Sequence, residues 1–261
     1  LALFTQKCAI KHVSAVLTDS LNSKKDLIKF FHLDPDKVFV IPLAADPGYQ
    51  RKPSRDFIRS IKRKYQLPDR FLLYVGGINA NKNLVRLAQA AINLNVHLVL
   101  VGGEFVKPPL ETFSLKKLLG IQKIHPEIKQ FRKLQQLISG SPLFHLLGFV
   151  SSDELNVIYR LASVYCQPSL YEGFGMPLLE AMTAGCPVVS SDTGSLPEIY
   201  PPEIHSFDPT NQKEIEQTLA RALALAPKEK ARQIKAGIIK AGEFTWAKTA
   251  QLTYAVYRKN I

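Results

Sequence analysis

The chain has 261 residues, 46% of them hydrophobic, and a mean hydropathy of −0.02: enough apolar material for one large core or two smaller ones, and too much for a disordered chain. Its 34 Lys and Arg against 22 Asp and Glu leave a formal charge of +12, which favours anionic partners such as nucleotides, phosphates, nucleic acid or acidic lipid without choosing among them. No apolar run approaches the roughly 18–20 residues of a membrane-spanning helix, and the widely spaced Cys8, Cys166 and Cys186 argue against a disulfide framework or a zinc knuckle and fit a reducing cytoplasm.

The chain begins at Leu1 without a signal peptide's charged region or cleavage site, and it reads as a fragment. Apolar runs predict strands over 12–17 and 38–42, too little for an independent α/β core, and a domain boundary falls in 43–48. Residues 1–46 therefore read as the tail of a preceding domain and its linker. A charged helix is expected over 54–65, with Phe57, Ile58, Ile61 and Tyr65 on its apolar face. Short β-branched runs then predict strands over 71–75, 97–101, 144–147, 164–166, 187–190 and 204–207. Between them, Leu84, Leu87, Ala88 and Ala91, and again Leu155, Ile158, Tyr159 and Ala162, each line one helical face. Ser151-Ser152-Asp153-Glu154 opens the second of these helices as a capping box. This βα alternation predicts an α/β fold, a doubly wound parallel sheet of Rossmann-like type over 47–245, with a last helix over 246–261.

Ligands of such sheets sit beyond the carboxyl ends of the strands, so the loops there carry the chemistry. After the 71–75 strand comes Gly76-Gly77-Ile78-Asn79-Ala80-Asn81-Lys82-Asn83. Its glycines allow close backbone approach, and Lys82 reads either as a phosphate ligand or as a solvated lysine beside an Asn cap. After the 164–166 strand comes a loop ending in Gly173-Phe174-Gly175-Met176-Pro177. Pro177 suits the first helical position, Gly185 suits the stop, and the glycines expose N–H groups to a diphosphate. Glu172 in that loop and Glu180 on the first helical turn either receive ribose and sugar hydroxyls or are a loop charge and a helix-start acid. Gly102-Gly103 and Gly148-Phe149-Val150 offer backbone edges to a base, or are plain turns.

The histidines, His12, His32, His97, His125, His145 and His205, read as structural or solvated, and Cys166 and Cys186 as core residues. Arg51 to Lys64 carries a net +6 and Lys107 to Lys133 a net +5. Both read as solvated faces or as a contact with anionic membrane. Nucleic-acid binding is not expected, because neither patch interleaves aromatic residues. No strand is followed by the Gly-x-Gly-x-x-Gly of a dinucleotide site.

Taken together, Tyr74-Val75-Gly76-Gly77, Lys82-Asn83-Leu84, Leu147-Gly148-Phe149-Val150-Ser151, the stretch from Pro168 through Glu172, Gly175 and Glu180 to Met182, Gly185-Cys186-Pro187-Val188, Gly194-Ser195-Leu196-Pro197-Glu198 and Phe244-Thr245-Trp246 form a pattern. It resembles the nucleotide-sugar-binding domain of family 4 retaining glycosyltransferases, part of group 1, which have the two-Rossmann GT-B fold. The segments 16–20 and 40–46 resemble the end of that family's N-terminal domain and its linker, so the chain reads as the C-terminal half of a GT-B architecture, its last helix returning toward the N-terminal domain. The resemblance implies Glu180 on the ribose, Glu172 on a hydroxyl of the transferred sugar and Lys82 on the diphosphate, with Lys82 and Glu172 as the catalytic residues. It also implies Gly76, Gly77 and the backbones of Gly173, Phe174, Gly175 and Met176 in the donor cradle, and Phe149 and Val150 beside the base. It further implies hexose transfer with retention, no metal and no other cofactor. The donor is a nucleoside-diphosphate sugar, GDP-mannose ahead of UDP-hexoses, and the acceptor a glycan or lipid-linked sugar of surface polysaccharide. The enzyme would be cytoplasmic or at the cytoplasmic face of the membrane, with this fragment alone inactive. Gly77 and Asn81 stand where many relatives carry Arg, one cation fewer for the diphosphate. The competing expectation is a non-catalytic module that only holds a nucleotide-sugar.

Overall fold

A computed structural model describes residues 9, 10, 12–106 and 126–260. Its first elements are a two-stranded parallel pair, β1 (Val16–Thr18) and β2 (Val38–Val40), joined through helix α1 (Leu21–Phe31). The β1 strand is shorter than the expected 12–17, because its partner offers only three residues to pair with, in register from Val16↔Val38 to Thr18↔Val40. Helix α2 (Arg55–Lys64) follows, with Ser54 accepting from the Phe57 N–H as its cap.

Six strands form the main sheet: β3 (Phe71–Val75), β4 (His97–Val101), β5 (Phe144–Leu147), β6 (Val164–Gln167), β7 (Val188–Ser191) and β8 (His205–Phe207). All pair in parallel, in the order β5-β4-β3-β6-β7-β8. The central strands β3 and β6 are largely apolar, because helices cover both faces of the sheet: Phe71, Leu72, Leu73 and Tyr74 are all fully buried, and only Gln167 at the end of β6 breaks the run. On one face lie α5 (Ser152–Leu161) and α6 (Met176–Thr183), where Tyr49, Tyr159 and Tyr165 stack edge to face at 5.8 and 5.7 Å. The other face is covered by α3 (Leu84–Asn93), α4 (Pro126–Ile138) and α8 (Gln212–Leu223). The doubly wound Rossmann-like arrangement is thus the one expected, and the order reverses between β3 and β6, opening a crevice beyond their carboxyl ends. The short α7 (Leu196–Ile199), then α9 (Pro227–Ala241) and α10 (Trp246–Asn260) complete the fold. Helix α10 packs back on the first elements: Thr249 Oγ1 donates to the Pro42 carbonyl at 2.7 Å, and Lys259 lies over the Phe39 ring.

Three local expectations need correction. The capping box at Ser151 does not close: its hydroxyl donates to Glu154 Oε2 at 3.1 Å, and that carboxylate is drawn away by Lys64 Nζ (2.6 Å) and the Tyr65 hydroxyl (3.0 Å) of the α2 end. Met176, not Pro177, is the first residue of α6. Glu180 is accordingly its fifth residue, past the first turn, so it is not a helix-start acid.

The basic stretch of 51–64 is partly neutralised by pairs such as Arg59–Asp56, Lys62–Asp69 and Lys64–Glu154. Most of the second basic stretch, together with Cys8 and His125, lies outside the described residues. Cys166 and Cys186 are free and buried, and burial pushes the Cys186 thiol up to about 12. His97 and His145, both expected to be structural or solvated, meet across β4 and β5 with ring nitrogens 3.1 Å apart. Among the described residues no helix is long and apolar enough to cross a membrane.

Candidate functional site

The loops after β3 and β6 face each other across the crevice and are stitched together by backbone. The Leu170 N–H donates to the Asn81 carbonyl at 2.7 Å, and Asn81 Nδ2 donates to the Tyr171 carbonyl at 3.0 Å. Asn83 turns the chain from this loop into α3 with a φ of 56°, its buried Nδ2 donating to the carbonyls of Pro168 (3.0 Å) and Pro209 (2.8 Å). Asn tolerates that left-handed turn better than most residues. These bonds fix where Lys82 stands. Asn81 thus works as a tie between the two loops.

Lys82 and Glu172, 90 positions apart, form one cluster. Lys82 Nζ donates to both carboxylate oxygens of Glu172, at 2.7 Å (Oε1) and 2.9 Å (Oε2). Oε1 is saturated, since it also accepts from Gln167 Nε2 and Ser169 Oγ, each at 2.6 Å. Oε2 accepts from Lys82 alone among the described residues, which leaves it room for a hydroxyl donor. An ammonium has three N–H bonds, so one remains for a phosphate oxygen. The backbone of Glu172 is clamped from behind: Ser195 donates to its carbonyl through N–H (3.3 Å) and hydroxyl (3.0 Å). Gly194 leaves no space there, with φ at 61° and any Cβ 2.8 Å from the Glu172 carbonyl oxygen.

The other glycines divide into two groups. Gly76 and Gly102 let the β3 and β4 loops touch, a Cβ on Gly102 falling 2.2 Å from the Gly76 oxygen. Glu104 closes that rim, its carboxylate accepting from the Ile78 N–H at 2.6 Å and lying against Gly77. Gly175, with a φ of 105°, precedes α6, which no side chain caps among the described residues; Pro177 has no N–H and the Leu178 N–H already donates to the Gly175 carbonyl at 3.1 Å, so the Met176 N–H is the donor left to receive an anion there. Phe174 is buried against Phe244, so only its backbone can serve a ligand. Gly173 faces the N-terminal segment, near Asp19 and Ser23.

Glu180 lies apart from the Lys82–Glu172 cluster, held by the Tyr159 hydroxyl at 3.0 Å and interacting with Tyr49. Burial, reinforced by nearby Asp46, raises its pKa above the ordinary carboxylate range, against the hydrogen bonds from Tyr159 and Tyr49. Phe149 stands 89% exposed, whereas Val150 is buried in the core and can offer only its backbone. The sequence assigns no site role to Gln167, Tyr49 or Tyr159, and it holds Ser169 and Gly194 only as members of the family-like pattern. A polar Gln167 ending an apolar strand, two residues before Ser169, is the signal that could have found two of them. Among the described residues, no three His, Cys, Asp or Glu side chains converge as a metal site.

Residues 57–240 match the family described as Glycosyl transferases group 1. The chain is 30% identical over 247 residues to the serotype-specific mannosyltransferase WbdA of Escherichia coli, covering 93% of this chain and 28% of that protein. Among solved structures, a glycosyltransferase of Rickettsia africae superposes with a TM-score of 0.80 at 15% identity, over 98% of this chain and 66% of the other. HepE of Anabaena, solved in complex with UDP-glucose, gives 0.75 at 16% identity, over 94% and 64%. The chain therefore spans less than two thirds of the length of WbdA, and both solved structures share the sheet and helices described above, within the GT-B class of fold.

Proposed function

Because the chain belongs to the group 1 glycosyltransferases, we propose that it is the donor-binding half of a hexosyltransferase that takes its sugar from a nucleoside diphosphate. One observation carries this reading: at the switch point of the sheet, Lys82 and Glu172 hold a cation with one spare N–H beside a carboxylate with one spare acceptor oxygen. Those are the complements of a phosphate and of a sugar hydroxyl. The diphosphate lies over the start of α6 within reach of Lys82, the transferred sugar gives a hydroxyl to Glu172 Oε2, and the ribose diol reaches Glu180. Phe149 offers its exposed ring to the base.

In the transfer, the bond from the anomeric carbon to the diphosphate oxygen breaks and a bond to the acceptor oxygen forms on the same face, so configuration is retained. The acceptor proton passes to the departing phosphate. Lys82, the Met176 N–H and the dipole at the start of α6 stabilise the negative charge that grows on that phosphate, without a metal. Mannose is the first candidate for the sugar, given the mannosyltransferase relative, with a glycan or lipid-linked acceptor of surface polysaccharide as its destination.

Calorimetric titration of the 261-residue chain with GDP, UDP, GDP-mannose and UDP-glucose, each with and without EDTA, tests the reading. Binding of one base in preference to the other, unchanged by EDTA, is expected. If none of the four binds, the donor-site assignment fails.

A further inference from the structure

The opposite end of the sheet carries a second polar cleft. Helix α9 turns Gln233, Gly237 and Ala241 inward, the stripe of a helix lying on a core. Gly237 meets the Met182 side chain and Ala241 belongs to the core, but Gln233 breaks the pattern. It is 4% exposed, and neither its Nε2 nor its Oε1 has a hydrogen-bond partner among the described residues. A buried amide left without partners is rare and destabilising, and a leucine would fit the stripe better.

Gln233 lines a cleft of about 290 Å³ together with Glu203, His205, Leu225 and Arg232. This cleft shares Pro202, Glu203 and Arg232 with a neighbour of about 440 Å³ that continues along α9 to Glu243. The charges are mixed: Glu203 and Glu229 oppose an anion, and Arg232 opposes a cation. A hydroxyl-rich neutral molecule suits them all, donating to the carboxylates, accepting from the guanidinium and, once the Gln233 side chain turns from its buried position, from its amide, and laying its C–H face on Pro202 and Leu225.

We propose that this cleft binds hexose units of a glycan chain through Gln233, Glu203 and Arg232, away from the site of transfer. Two joined clefts suit a chain better than a single sugar. The glycan as the source rests on the glycosyltransferase function proposed above; the preference for a neutral polyol rests on the cleft itself.

The test is NMR of the ¹⁵N-labelled full chain titrated with methyl α-mannopyranoside, an α-linked mannotriose and inorganic phosphate, reading the Gln233 side-chain amide, the His205 ring and, in the same spectra, Gly173 and Gly175. Both sugars should shift Gln233 and His205, the trisaccharide binding roughly tenfold or more tighter because it engages both clefts. Arg232→Ala should abolish both shifts and Gln233→Leu the His205 shift, each leaving any at Gly173 and Gly175 intact. Without sugar, Gln233→Leu should raise Tm by roughly 2–4 °C, which separates loss of binding from loss of fold. Sugar shifts confined to the donor loop, a stronger response of His205 to phosphate than to sugar, or a lower Tm for Gln233→Leu would each overturn the proposal. In a parallel titration with GDP and UDP, silence of Gly173 and Gly175 would count against the donor site alone.

Discussion

Lys82 is the residue on which the proposed donor site turns. It spends two N–H bonds on Glu172 and has one left, so Lys82→Ala removes the cation and leaves a carboxylate facing the diphosphate. A hydrogen bond to a charged group contributes roughly 1.5–3 kcal/mol, so the substitution should weaken nucleoside-diphosphate binding roughly 10–100-fold, read by calorimetry. The fold should survive, since Gln167 and Ser169 still hold Glu172. Glu180 supplies a pH dependence. Its buried carboxyl holds its proton more tightly than in the unfolded chain, where the ordinary value is 4.5. The stability this contributes is present below that value and lost as pH rises through the raised pKa. Hydroxyls of a ribose need the ionised form as acceptor, so donor affinity should fall as pH drops toward the raised pKa, starting above 4.5, and binding should release a proton in that window. Calorimetry in buffers of different ionisation enthalpy measures that proton, and Glu180→Gln should abolish its release; a proton count of zero in the unsubstituted chain would remove Glu180 from the ligand.

At the scale of elements, α1 is tied to the donor loop by polar contacts alone. Glu198, at the third position of α7, caps α1 with both oxygens, accepting from the Leu21 N–H (2.8 Å) and the Asn22 N–H (2.7 Å). Ser23 Oγ donates to the Gly173 carbonyl at 3.2 Å, and the Tyr171 hydroxyl donates to Asp26. Glu198→Ala should cost ~1 kcal/mol of local stability, about fivefold faster amide exchange over 21–26. Unchanged exchange there would show that Ser20 and helix packing suffice. The strands were legible because β3 to β6 are short, largely apolar runs between polar loops, with Val188-Val189 and Phe207 marking β7 and β8, and the crevice was legible because glycine-rich loops follow β3 and β6. Lys82 and Glu172 could be named singly, but their union depends on the reversal of strand order between β3 and β6, which no local pattern encodes. The Ser151 box misled for a related reason: its glutamate found Lys64 and Tyr65, 90 and 89 positions away.

For the whole molecule, the buried members of both cores begin at Tyr49 and end at Ala241, with Leu43 and Ala45 packed at the edge. The six-stranded sheet thus carries its own hydrophobic stabilisation, which scales with the apolar area it removes from water. The β1–α1–β2 segment and α10 lean on it and on each other, through Thr249 to Pro42 and Lys259 to Phe39. Such a division predicts unequal local stability: amides of 16–40 and 246–260 should exchange as one early group, well before those of β3 and β6. A chain ending at 245 should therefore lose protection over 16–40 while the main unfolding transition moves by only a few degrees. Should the truncation instead lower the main transition as far as a core substitution such as Leu73→Ala, which costs ~2–5 kcal/mol, then α10 and the first strands would be integral to the sheet's fold. The proposed donor site sits across this division, with Lys82, Glu172 and Glu180 on loops and a helix of the sheet unit and Asp19 and Ser23 facing Gly173 from the leaning segment. The truncated chain should accordingly keep nucleoside-diphosphate affinity while the sugar-facing side of the site becomes mobile, a separation visible as preserved GDP or UDP binding beside a weakened preference for the intact nucleotide-sugar.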